Sequence, residues 1–182
     1  MKKIAIASLI ALATSFASAA DYVSLDVDHV KDRSTKQTST AEYVRAGKEI
    51  GGIQYGLQSR TARYQDGSGL ANSLEVTAGK SFGVVTPFVG VGHDNGFNGA
   101  SGKSYNYGLV GATAGTQVGP GFALAGVKAR LGSTESDMTQ QTIVFGSYSV
   151  PVAKNVAVVG NLSRSYRDIR ENAYGLGLNI GF

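Results

Sequence analysis

The chain has 182 residues, a formal net charge of +4, no cysteine, no tryptophan, and an unusual share of glycine (25) and tyrosine (9). Without cysteine it has neither disulfides nor thiol chemistry, and with only His29 and His93 it is poorly supplied for a transition-metal site. The slight basic excess gives no electrostatic footprint for nucleic acid, and neither a cofactor nor a metal is expected.

Residues 1–19 read as a secretory signal peptide. Met1-Lys2-Lys3 is a basic start, Ile4 to Phe16 is an apolar stretch broken only by small polar residues, and "ASAA" supplies the small residues of a cleavage site. Cleavage after Ala19 fits best, with Ala20 second, leaving a single domain over residues 20–182. Loss of Lys2 and Lys3 lowers the net charge to +2. The apolar run is shorter than the roughly 20 residues a membrane helix needs, and no longer one follows it.

Beyond the signal, helical periodicity gives way to alternation of apolar and polar residues between glycine-rich or charged breaks. Ten strands are predicted: Tyr22–Val30, Thr40–Gly47, Ile53–Ala62, Leu70–Lys80, Thr86–His93, Ser104–Thr116, Phe122–Gly132, Thr139–Val150, Val156–Tyr166 and Ala173–Phe182. Eight is the runner-up count, and requires fusing strands across "KEIGG" and "SFGVV". The breaks alternate in kind. "KDRSTKQTS", "RYQDGSG", "DNGFNGASGK", "STESDM" and "RDIREN" are polar, charged or glycine-rich, whereas "KEIGG", "SFGVV", "VGPG" and "PVAKN" are mostly shorter and less charged. Long loops at one end and short turns at the other are the signature of a transmembrane antiparallel up-and-down β-barrel, with both termini on the periplasmic side.

A soluble sandwich would alternate too. Three features favour lipid. The apolar faces are thin, as in Val23, Leu25 and Val27; the opposite faces are rich in Gly, Asn, Gln, Ser and Thr; and aromatics gather near strand ends as membrane-interface girdles do, among them Tyr22, Phe82, Phe88, Tyr105, Tyr107, Phe122, Tyr148 and Tyr174. A charge facing lipid at mid-membrane costs roughly 2 to 4 kcal/mol, so mid-strand charges should point inward. That rule sends Asp26, Asp28, Arg45, Gln54, Gln58, Arg60, Glu75, Lys128 and Arg130 to the lumen, with basic groups slightly in excess. Paired across the bore they form a plug; hydrated, they line a narrow path with a mild preference for anions. Ten strands lie nearer the filled limit of eight than the open channel of sixteen.

Enzyme chemistry is weakly supported. His93 and Asp94 in "GHDNG" are neighbours that a strand would turn to opposite faces, and no nucleophile-elbow serine accompanies them. "DVD" lacks the later ligands of a calcium loop. Arg164, Arg167 and Arg170 cluster near the last outer loop, where they either meet lipopolysaccharide phosphates or form a solvated rim.

The closing stretch "YGLGLNIGF" places Tyr174, Leu176, Leu178, Ile180 and Phe182 at every second position and ends on the phenylalanine. It resembles the carboxy-terminal assembly signal of bacterial outer-membrane barrels, and with the signal peptide and loop pattern the chain resembles the small outer-membrane β-barrel superfamily of porin-like and opacity-type proteins. That resemblance implies a Gram-negative outer membrane with its lipid and lipopolysaccharide, carriage by periplasmic chaperones, and insertion by the barrel assembly machinery. The role it implies is structural or surface-interaction, with a narrow, weakly anion-preferring pore as the alternative and a rim-located hydrolase as a more distant one. No signal sets an oligomeric state.

Overall fold

A computed structural model describes residues 21–64, 70–95, 104–132, 141–167 and 170–182. The signal segment and most of the outer-loop residues lie outside the described residues. Ten strands follow in order: β1 (Tyr22–Asp32), β2 (Thr38–Ile50), β3 (Ile53–Tyr64), β4 (Leu70–Gly79), β5 (Val85–Asn95), β6 (Ser104–Val118), β7 (Gly121–Gly132), β8 (Gln141–Ala153), β9 (Val156–Arg167) and β10 (Glu171–Gly181). Each pairs antiparallel with its sequence neighbour, and β1 pairs with β10, closing the barrel. The count is ten, not eight. "KEIGG" and "SFGVV" are reversals, not mid-strand irregularities.

The four tight turns share one end, here the turn end, with Asp21 and Phe182, the first and last described residues. At β2–β3 the ladder runs to Ile50↔Ile53, and only Gly51 and Gly52 make the reversal. Both have positive φ (61° and 76°), the backbone that a two-residue hairpin demands and glycine supplies without strain. Strand β8 runs three residues past its expected stop at Val150. Pro151 has no N–H for the ladder, and the register slips between Pro151 and Ala153, so a bulge absorbs the missing donor.

The outer face carries an apolar belt. Val27, Val76, Val91, Leu162, Leu176 and Leu178 are 45–68% exposed, a continuous apolar surface that water would not tolerate and lipid accepts. Toward the loop end the outer face turns polar: Thr61 donates to Asn72 at 3.0 Å and Arg63 lies 3.8 Å from Glu42. Of the aromatics assigned to interface girdles, Phe82, Tyr148, Tyr166, Tyr174 and Phe182 do lie outward, each 39–64% exposed. Tyr22, Phe88, Tyr105, Tyr107 and Phe122 instead turn into the bore, in register with inward neighbours.

Four of those inward rings, together with Phe145, have a common seat. A Cβ added to Gly47 would strike the Tyr22 ring, at Gly92 the Tyr107 ring, at Gly111 the Phe88 ring, at Gly115 the Phe122 ring, and at Gly126 the Phe145 ring. Each of these rings lies against a glycine of the neighbouring strand, where any larger residue would collide with it.

Candidate functional site: the bore

All nine charged and amide residues that parity sends inward line the interior: Asp26, Asp28, Arg45, Gln54, Gln58, Arg60, Glu75, Lys128 and Arg130. Most of them join one hydrogen-bonded network. On β1, Asp26 is buried and ion-pairs with Arg45 of β2; it also accepts from Ser24 at 2.8 Å and from Asn161 of β9 at 2.7 Å. Arg45 Nε donates to Gln58 Oε1 of β3 at 2.9 Å, and the Gln58 amide donates to Glu75 Oε2 of β4 at 3.3 Å. From Glu75 the chain of contacts leaves the wall. Lys128 Nζ on β7 donates to Glu75 Oε2 at 2.6 Å and Arg130 Nε to Oε1 at 3.0 Å, joining strands with two others between them along the sheet. Tyr107 adds a 3.1 Å bond to Oε1, and Arg130 Nη1 reaches Gln141 Oε1 at 3.0 Å. Glu75 thus accepts from several donors, as a buried carboxylate requires.

Gln54, near the turn end, stands apart and donates to Ser81 at 3.1 Å. Asp28 has one carboxylate oxygen without a partner among the described residues. Toward the loop end Arg60 lies 3.6 Å from Glu171 and over the Tyr43 ring, while Val30, Ala41, Ala62, Ala71 and Ala173 pack as a buried cluster against Tyr43. Charge and small apolar residues therefore fill the loop-end half. The turn-end half is hollow, part of a cavity of about 900 Å³ that also reaches Arg60, Ser165, Glu171 and Ala173 toward the loop end.

The closing strand explains its own bare face. Tyr174, Leu176, Leu178 and Phe182 are 45–68% exposed on the outside, with Ile180 on the same face. Inside, Gly175 and Gly177 lie against the Asp28 and Asp26 carboxylates, where any Cβ would collide. The glycines on β10 are there to admit the acids of β1.

Parity missed several members. Asp94 and Glu171 also point inward, so the bore holds Asp26, Asp28, Glu75, Asp94 and Glu171 against Arg45, Arg60, Lys128 and Arg130. The expected basic excess is absent from this set, and an anion preference resting on the count loses its ground. Asn161 and Gln141, uncharged, gave no signal. The lumen is also less polar than expected: Phe88, Phe122, Leu124, Ile143 and Phe145 line it. Their parity with Asp94, Lys128 and Arg130 was a usable clue.

His93 and Asp94 do point apart. His93 Nδ1 lies 2.8 Å from Asn106 Oδ1 on the outside, and Asp94 is fully buried in the bore. Arg164 and Arg33 both lie against the Tyr166 ring, at 5.3 and 5.5 Å.

Neither a protein-family model nor a curated protein matches the sequence. Among solved structures, the fold is similar to the beta domain of the Bordetella autotransporter BrkA, at 10% identity over 88% of this chain and 98% of that one, with a TM-score of 0.50. Neisserial surface protein A (16% identity; 88% and 96% covered; TM-score 0.47) and the KdgM porin (13%; 87% and 99%; 0.47) are further matches. At such identities the likeness is one of fold, that of bacterial outer-membrane β-barrels, and a fold does not carry a function.

Proposed function

We propose that the chain is an integral outer-membrane barrel with a structural or surface-interaction role, its turns and termini in the periplasm and its loop end at the cell surface. The observation that supports this reading over a diffusion pore is the strut from Glu75 to Lys128 and Arg130, which spans part of the bore and ties β4 to β7, three strands along the ring. Ten strands lie near the filled limit of eight, so a bridge of this kind narrows the path between the loop end and the hollow. The outward residues of β10 fit the assembly signal, to be read by the barrel assembly machinery after chaperoned transit, and Arg33 and Arg164 around Tyr166 fit lipopolysaccharide phosphates near the outer rim.

A narrow pore is the second reading, favoured by the hollow turn-end half. Charge reversal at Lys128 and Arg130 separates the two. A plug should lose stability without gaining conductance, and a pore should change its ion preference. A rim hydrolase has no such support, since His93 and Asp94 face apart, as do His29 and Asp28 by register.

A further inference from the structure

The hollow half of the bore is built asymmetrically. On β7 the inward residues run, from the turn end inward, Phe122, Leu124, Gly126, Lys128, Arg130. The wall grades from apolar at the mouth to cationic at depth. Phe145, Phe88 and Ile143 widen the apolar sector, and glycines beneath the Phe88, Phe122 and Phe145 rings let them lie against the wall and leave the centre open.

The floor of the hollow is not electrically neutral to a visitor. In the Arg45–Asp26 pair the arginine side chain is 29% exposed and the aspartate 0%; in the Lys128–Glu75 pair the lysine is 14% exposed and the glutamate 4%. At this depth Asp26 and Glu75 are sealed in the wall and Arg45 and Lys128 keep the open face, whereas Asp21 and Glu49 are exposed at the mouth. Among the described residues, only the Arg60–Glu171 pair, farther toward the loop end, has its carboxylate as the more exposed member.

We propose that this hollow is a binding cup for a single-chain amphiphile with an anionic head, of the fatty-carboxylate class, entering head-first from the turn end. The head would meet Lys128 and Arg45, and the acyl chain would lie along Phe145, Leu124 and Phe122 back to the mouth. Tail-first entry would press hydrocarbon onto a charged floor, at a desolvation cost with nothing to offset it. The whole cavity of about 900 Å³, of which the cup is the turn-end part, lies within the range of about 300 to 1,000 Å³ usual for small-molecule sites.

The test must separate lumen from surrounding lipid. The mature barrel, folded in nanodiscs, would be photolysed with a diazirine-bearing C12 carboxylate and the adducts mapped by mass spectrometry. The proposal expects adducts on inward Phe122, Leu124 and Phe145, competed by dodecanoate at least about tenfold better than by dodecyltrimethylammonium. A Leu124→Glu variant, checked for folding by heat-modifiable migration, should lose the inward adducts alone; Leu124→Gln serves if it fails to fold. Adducts confined to outward Val127, Leu176 and Leu178, or equal competition by the cationic amphiphile, would overturn it.

Discussion

At the scale of single residues, the barrel is organised by pairs in which one side chain occupies the space another lacks. Gly177 is the sharpest case, since a methyl there would drive Asp26 away from Arg45 and Asn161. Gly177→Ala should destabilise the folded barrel by about 1 to 3 kcal/mol, the usual cost of overpacking. Gly160, on the outer face of the adjacent strand, has nothing within 4 Å of an added Cβ, so Gly160→Ala should change stability by less than about 0.5 kcal/mol. Urea titration of the refolded protein in detergent checks both. Much of this scale was legible, because charges in strands declare their face by parity. What was not legible is the partner across the sheet: nothing in "FALAGVKAR" announces that Phe122 lies on Gly115 of another strand. The expectation of a polar inner face also fails there, since Phe122 and Leu124 face the bore while Ala123 and Ala125 face outward.

Elements show the same division between what local pattern carries and what closure decides. All ten strands were recoverable from alternation and the two kinds of break, because a strand with lipid on one side and a bore on the other must keep its period of two. Their ends were less so. β2 continues through Lys48 and Glu49 because cross-strand pairing persists until the two glycines, and β8 continues through Pro151 by means of a bulge. Strand β10 carries two functions on two faces, a lipid-facing apolar row and a bare inner row. Leu176→Arg should therefore cost about 2 to 4 kcal/mol, as for a cation facing mid-bilayer lipid, and should reduce insertion into vesicles. Arginine at Ser147, which points into the hollow, should leave folding intact by the same heat-modifiability assay.

For the whole molecule, the decisive feature is the strut that turns a sheet closed on itself into a braced cylinder. Glu75 balances Lys128 and Arg130 in a buried setting, so removing it strands two cations. Glu75→Ala should cost about 3 to 5 kcal/mol, while Glu75→Gln, whose carbonyl oxygen can still accept from one of the two cations, should cost less. Thermal unfolding in detergent orders the three proteins. That opposite charges would meet across the bore was readable as one of two alternatives; which alternative holds depends on side-chain reach between β4 and β7, and parity is silent on reach. The most direct test of a braced, obstructed bore is single-channel recording of the refolded mature chain in a planar bilayer under a salt gradient. A folded, inserted wild-type barrel should give no sustained conductance steps. Reproducible open steps with a defined reversal potential would contradict the account.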